Sequence, residues 1–289
     1  MRMKRVIAAI IALGLLAAAC GDDATGSPST TVTPTTTVPP ATTTTPPADV
    51  NQRVLEVKYE GGFVPVEFIF NRIPAFTLFA DGRLVYEGPM IEIFPGPLYP
   101  NVQVADIGVD GVTEVLRAIE ASGLAEMTDE VDDSAADTVA DASTTVMTYT
   151  DENGDDHIVS VYALGFDPAN QLHQQLQAVI DLLSQLSVSG DPLGDYEPDR
   201  LQILVGVDNG ESDDPLSSVA PWPLAASSSD AVELFEGLSC LIVEGDEVAT
   251  VLPVLRESNQ LTLFDESGTL YRLLPRPLLP GEVGCEALE

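Results

Sequence analysis

Alternation of apolar and polar residues predicts that much of this chain folds as antiparallel hairpins. The clearest example is 76–86, where Asp81-Gly82 separates two alternating segments. This dipeptide is typical of a type I′ turn, because both central residues of that turn need a positive φ. Further hairpins are predicted around 151–156 and 265–268. Single strands are predicted at 54–59, 102–107, 201–207 and 239–243, and the apolar stretch 63–70 is predicted as an extended edge segment because it contains Pro65.

Three stretches have the spacing of amphipathic helices. Asp110 is predicted to cap the first, which ends at Gly123. Asp167 and Pro168 open the second and longest, and Asp246 opens the third, which Pro253 is expected to kink. The apolar faces of the first two consist of Val112, Val115, Leu116 and Ile119, and of Leu172, Leu176, Val179, Ile180 and Leu183.

Hairpins combined with a few helices predict an α+β fold with the helices packed on one face of the hairpins. The Gly-, Asp- and Pro-rich stretch 187–200 predicts a boundary between a sub-domain at 50–190 and a smaller one at 191–289. A short helix leading into a hairpin recurs at 112–164 and 247–274. This recurrence indicates either two similar sub-domains or two independent occurrences of a common motif.

The first 49 residues have a different pattern. Residues 1–19 combine a basic start (Arg2, Lys4, Arg5) with a small and aliphatic run, which is typical of a secretory signal peptide and is too short to span a bilayer with margin. Residues 20–49 are predicted to be a disordered Thr/Pro tether, since they cannot bury enough apolar surface to fold. About 25 residues of polyproline II would reach at most about 75 Å, and the threonines also suit O-glycosylation.

The stretch Leu16-Ala17-Ala18-Ala19-Cys20 resembles the lipobox of bacterial lipoproteins, although Ala17 stands where an aliphatic residue is usual. The resemblance implies that the Cys20 thiol carries a diacylglycerol of palmitate-like chains. It also implies that the chain is held on the extracytoplasmic face of the cell membrane. Ordinary cleavage to a secreted form is the alternative. The segment 239–285 resembles the C-terminal part of uncharacterised actinobacterial lipoproteins, for which no activity can be carried over.

With Cys20 set aside, Cys240 and Cys285 remain. An even pair in an exported protein predicts a disulfide, with two free thiols as the alternative. Closing a loop of about 45 residues would stabilise the fold by about 4 kcal/mol in the chain-entropy description.

The chain carries 46 acidic and 12 basic residues, a net charge of −34. Three of the twelve basic residues lie in the leader, so nine remain after it. Such a surface repels nucleic acid and anionic head groups, which excludes nucleic-acid binding. Because the acids are spread along the chain, they predict a solvated coat, while attraction of cations or of a basic partner is the alternative.

Motifs for catalysis are scarce. The two histidines, His157 and His173, lie in a predicted strand and a predicted helix, outside any zinc-type or Gly-x-Ser-x-Gly motif. A Ser-His-Asp triad needs no sequence proximity and stays open. Carboxylates are too numerous for any pair of them to indicate a glycosidase.

Two kinds of candidate site remain. Asp151, Asn153 and Asp155 place oxygen ligands at alternate positions, as calcium loops do, although Tyr162 stands where an EF-hand has its last Glu. A plain polar turn is the alternative. Tyr99 and Trp222 lie in Pro-rich loops that would bind an extended ligand if exposed, or pack onto the sheets if buried.

The sequence therefore favours a membrane-anchored, non-catalytic binding or envelope-interaction module. Its expected partners are the membrane, through the lipid, and an envelope protein or an extended ligand. The alternatives are an extracytoplasmic hydrolase with scattered site residues and a calcium-stabilised structural domain; no cofactor other than calcium is indicated.

Overall fold

The computed structural model describes residues 49–90, 92–208, 210 and 213–286. The predicted signal peptide, Cys20 and all but the last residue of the predicted tether lie outside the described residues. The described chain forms an α+β fold with two mixed, mainly antiparallel sheets in two similar sub-domains, as predicted. None of its helices is both long and apolar enough to cross a membrane.

The first sheet has eight strands in the order β5-β7-β6-β1-β2-β3-β4-β8. The pairing is antiparallel except between β5 and β7. Strand β8 follows the predicted sub-domain boundary at residue 190, but it pairs with β4 and therefore belongs to the first sheet. The strands are β1 (Arg53–Gly61), β2 (Phe76–Phe79), β3 (Arg83–Glu87), β4 (Val102–Asp106), β5 (Glu130–Asp132), β6 (Ser143–Thr150), β7 (Asp156–Tyr162) and β8 (Asp191–Asp195).

Two helices, α2 (Gly108–Ser122) and α3 (Gln171–Ser189), cover one face of this sheet. The apolar side chains of both helices pack against every second residue of the strands, on one face of the sheet, including Leu55, Leu78 and Met147. Gly123 ends α2 in the left-handed conformation, as predicted. The predicted helix starts were wrong, because Asp110 lies inside the first turn of α2 and the Asn170 side chain caps α3 by accepting from the Leu172 and His173 amides.

The second sheet has six strands in the order β10-β13-β14-β9-β12-β11, with only β10 and β13 parallel. Helix α4 (Asp246–Glu257), which contains Pro253, packs Val251 and Leu255 on one face of the sheet. The strands are β9 (Arg200–Val207), β10 (Ser218–Pro221), β11 (Val232–Phe235), β12 (Leu238–Glu244), β13 (Thr262–Glu266) and β14 (Thr269–Pro277).

Each sub-domain contains a helix that leads into a hairpin, α2 into β6-β7 and α4 into β13-β14. The two arrangements differ in one respect. In the first sheet the leading hairpin strand, β6, pairs with the central strand β1, whereas in the second sheet the trailing strand, β14, pairs with the central strand β9. The sub-domains are therefore similar in content and different in strand order.

Two local predictions were wrong. The stretch 63–70 is not extended, because Pro65 precedes a short helix, α1 (Val66–Phe70). The turn at Asp81-Gly82 is not type I′, since only Gly82 has a positive φ, +96°, and its amide donates to the Phe79 carbonyl, which closes a four-residue turn that ends at Gly82. A β-carbon at Gly82 would lie 2.8 Å from the Gly108 backbone, so close chain packing also requires glycine there.

The helix-free faces of the two sheets face each other. On the first sheet Phe79, Val85 and Val104 pack against Tyr196 and Leu279 from the second half of the chain. On the second sheet Leu204 and Cys240 pack with Phe70, the last residue of α1. The layers therefore run helices, sheet, sheet, helix, and the two inner faces share the space between them.

The Gln202 amide on β9 ties three segments together between the sheets. Its side chain is 3% exposed; Nε2 donates to the Phe70 carbonyl at 2.7 Å, and Oε1 accepts from the Cys285 amide at 2.8 Å. Cys285 forms the predicted disulfide with Cys240. The Asn71 amide adds a bond to the Pro275 carbonyl at 3.3 Å.

We expect Gln202→Leu to destabilise the protein by about 2–4 kcal/mol, because it leaves two buried backbone groups without partners. Gln177→Leu on the exposed side of α3 is the matched control and should change stability by less than about 0.5 kcal/mol. Urea unfolding measures both. Equal changes in the two variants would contradict the role given to Gln202.

Candidate functional site

Two clefts open between the sheets, one on each side of α1 and Arg72. The first, here called the apolar cleft, has a volume of about 850 Å³. Phe63, Phe68 and Met90 line it from the first half of the chain, and Leu261 and Leu274 line it from the second. It therefore joins residues that are distant in sequence.

Its aromatic wall is exposed to solvent. Phe63 is 89% exposed and Phe68 is 55% exposed, and no residue of α1 is buried. Gly61 and Gly62, both with positive φ, carry the chain out of β1 towards Phe63. The Arg72 guanidinium donates to the Tyr59 carbonyl at 2.7 Å and to the Gly61 carbonyl, which holds this segment in place.

Some polar side chains of the apolar cleft have a partner in the protein, and others have none among the described residues. Glu67 forms an ion pair with Arg272 at 3.8 Å. Burial raises the pKa of the Glu87 carboxyl at the partly exposed mouth, and Glu87 has no ion pair among the described residues. The Asn71 side-chain oxygen is buried without a hydrogen-bond donor within the described chain. The cleft thus offers an acceptor and a carboxylate beside apolar surface.

The second cleft, here called the polar cleft, has a volume of about 1250 Å³. Its first wall contains Glu56 and Thr77, which are neighbours across β1 and β2 on the helix-free face. Its second wall contains Gln202 and Arg276, which are neighbours across β9 and β14. All four residues are at least nine-tenths buried.

The predicted calcium ligands lie in the turn between β6 and β7, but N–H groups already occupy the Asp151 carboxylate. One oxygen accepts from the Asn153 amide at 2.8 Å and the Asp155 amide at 2.9 Å, and the other accepts from the Asn153 side chain at 3.0 Å. These bonds, first that from Asp155, lower the pKa of Asp151. Across the described part of the chain, no group of three or more acidic, His or Cys residues is placed to hold a metal ion.

The two aromatic residues predicted to bind a ligand lie in the core of the second sub-domain. Tyr99 is 7% exposed, and burial raises the pKa of its hydroxyl. Trp222 is half-buried; it packs edge-on against Tyr271, and its indole N–H donates to the Ala226 carbonyl. As far as the described residues go, neither lines the apolar or the polar cleft. This arrangement corresponds to the packing alternative, because the Pro-rich loops fold onto the sheet.

Both histidines are bonded to backbone groups through Nδ1. His173 is buried, and its Nδ1 accepts from the Gly165 amide at 3.3 Å, which puts the proton on Nε2, 3.6 Å from Asp132. The Nδ1 of His157 lies 3.2 Å from the Met127 carbonyl, which can only accept a hydrogen bond. That nitrogen therefore carries a proton and cannot take one from the Thr128 hydroxyl 3.5 Å away.

Sequence reasoning missed the walls of both clefts. In the extended edge segment predicted for 63–70, Phe63 and Phe68 need no special explanation. Gly61-Gly62 was a usable signal, since paired glycines let the chain leave a strand abruptly. Thr77 was another, because it places a hydroxyl in the middle of an otherwise apolar strand.

We expect millimolar calcium to leave the melting temperature unchanged, whereas Asp151→Ala should lower it, since the turn amides lose their acceptor. Because the pKa of Asp151 is lower in the folded state, its contribution to stability is present above the unfolded pKa, about 3.9, and disappears as the pH falls through the folded pKa. Thermal melts with calcium or chelator test this. A calcium-dependent rise that Asp151→Ala abolishes would instead establish the calcium site.

The chain matches no protein-family model, no curated protein and no solved structure in the comparisons made. Its function has to be inferred from the geometry of the clefts.

Proposed function

We propose that this chain is a lipid-anchored, non-catalytic binding module on the outer side of a bacterial cell membrane, and that its apolar cleft binds an extended polypeptide segment. The observation that carries the proposal is the exposure of Phe63 and Phe68 along a concave surface between two sheets. Soluble monomers rarely leave contiguous apolar surface exposed unless it binds something. The cleft volume also falls within the range of ligand sites.

The polar groups of the cleft favour a polypeptide as the ligand. The Asn71 oxygen is a buried acceptor that a backbone N–H can satisfy, and the apolar wall accommodates side chains. The Glu87 carboxylate is partly desolvated, so a Lys or Arg of the partner would stabilise its ionised form. A polypeptide that carries apolar side chains and a basic residue matches all three features.

The charge of the module supports the same choice of partner. With 46 acidic residues against the nine basic ones that follow the leader, the surface field attracts basic segments and repels acidic ones. The field raises the encounter rate, while the apolar wall supplies contact area. The partner is therefore an envelope protein with an accessible basic and apolar segment.

The predicted anchor and the predicted tether suit such a module. A lipid on Cys20 would hold the module at the membrane, and a spacer of up to about 75 Å would let it reach partners away from the bilayer surface. The hydrolase alternative has no supporting observation at either cleft, since neither His157 nor His173 lines a cleft in the described structure.

We expect Phe68→Ala to weaken partner capture about tenfold or more, because aromatic anchors dominate binding energy at such surfaces. Phe166→Ala is the matched control, since Phe166 is 56% exposed and, within the described structure, outside both clefts. The measurement is quantitative cross-linking and capture from native membranes with each lipidated variant. If both variants capture the same proteins equally, the apolar cleft is not the binding surface.

Glu87→Gln and Cys20→Ser separate the contributions of charge and anchor. Capture by the wild type should fall as the pH drops through the raised pKa of Glu87, and Glu87→Gln should remove this pH dependence.

Cys20→Ser should release the module from the membrane fraction while leaving binding of a purified partner intact. A wild-type mature chain whose intact mass contains no lipid would contradict the anchor.

A further inference from the structure

The polar cleft has features that the apolar cleft lacks. Of the nine buried polar or charged side chains in the described structure, four line this one space: Glu56, Thr77, Gln202 and Arg276. Burying polar groups costs free energy unless they find hydrogen-bond partners. Four such residues on two facing sheets therefore need an explanation beyond packing.

Two of these side chains have a polar atom without a partner among the described residues. The Thr77 hydroxyl belongs to a residue that is 2% exposed, and the Arg276 Nε–H belongs to one that is 9% exposed. The Gln202 amide is satisfied at both ends, by Phe70 and Cys285. In this cleft, hydrogen bonds within the protein hold the Gln202 amide in place, whereas the Thr77 hydroxyl and the Arg276 Nε–H have no partner among the described residues.

The charges that line the polar cleft are nearly balanced. Four basic residues face five acidic ones, in a chain with almost four acids for each base. The basic residues are Arg53, Lys58, Arg72 and Arg276, and the acidic residues are Glu56, Glu60, Asp156, Glu282 and Glu286. Four of the nine basic residues of the described chain therefore line this one cleft.

The charged groups are largely engaged with one another or with the backbone. Arg53 contacts Glu56 at 3.2 Å and Asp156 at 3.5 Å. Lys58 contacts Glu60 at 2.8 Å, and Arg276 contacts Glu282. Arg72 donates to backbone carbonyls. Little charge is therefore left over for a charged ligand.

This pattern selects the chemical class of the ligand. A cation cannot accept the Arg276 Nε–H and would compete for carboxylates that are already paired. An anion would meet five carboxylates in the cleft and the negative field of the whole chain. A neutral hydroxyl both donates and accepts, so it can serve the Arg276 Nε–H and the Thr77 hydroxyl without disturbing any ion pair.

We propose that the polar cleft is a binding site for an uncharged oligosaccharide. The surrounding side chains fit this ligand, because the Asn51 and Gln52 amides and the charged groups of the cleft can form hydrogen bonds with sugar hydroxyls. The volume of about 1250 Å³ accommodates more than one sugar ring. The site is separate from the proposed polypeptide cleft, although Tyr59, Arg72 and Ile73 border both.

The test is isothermal titration of the full mature chain with neutral gluco-, galacto-, manno- and arabino-oligosaccharides. Matched uronic-acid and amino-sugar oligosaccharides form the charged arms. We expect at least one neutral oligosaccharide to bind and the uronic-acid compounds to bind less tightly. If no neutral oligosaccharide binds at millimolar concentration, or if a charged arm binds more tightly, the proposal is overturned.

Thr77→Val tests the assignment to this cleft, since it removes only the hydroxyl. Binding of the neutral oligosaccharide should weaken about threefold to tenfold, because one hydrogen bond is lost. The melting temperature should not fall, because the hydroxyl has no partner in the protein. Thr145→Val is the matched control: Thr145 is also 2% exposed and lies, in the part of the chain that is described, outside the cleft. Equal effects of the two substitutions on oligosaccharide binding would overturn the site.

Discussion

The structure depends on contact between the helix-free faces of two sheets. The three long helices, α2, α3 and α4, cover the outer faces, so the apolar residues of the inner faces, such as Phe79 and Leu204, leave water by packing within the space between the sheets. The Gln202 amide fixes this contact, because it bonds to α1 on one side and to the disulfide-linked C-terminal segment on the other. The relative position of the sheets, and with it the shape of both clefts, follows from these bonds.

The same contact explains why clefts remain open. Where the inner faces carry apolar side chains they close against each other, but where they carry Glu56, Thr77 and Arg276, close packing would strip polar groups of water. The α1 segment with Arg72 then divides the remaining space into an apolar and a polar part. Two clefts of different chemistry therefore arise from one interface.

The sequence predicted local pairing well and long-range packing poorly. The hairpins around 151–156 and 265–268, the helix end at Gly123 and the Cys240–Cys285 disulfide depend on neighbouring residues or on cysteine count, and the structure contains them. The clefts depend on which faces meet, and no pattern in β1 or β9 specifies that. For the same reason Tyr99 was a candidate ligand-binding residue, although its loop folds onto α4. The exposed position of Phe68 could not be predicted, because α1 has only five residues and is too short to show helical periodicity.

Hydrogen–deuterium exchange of the full-length protein, with and without a solubilised bacterial envelope fraction, tests the central proposal that ligands bind between the sheets. Protection on addition of the fraction should concentrate in 59–73 and 272–286, the segments that border the clefts. The outer helices α2 and α3 should exchange as before. Protection confined to α2, α3 or the outer face of α4, with no change in 59–73, would contradict the account.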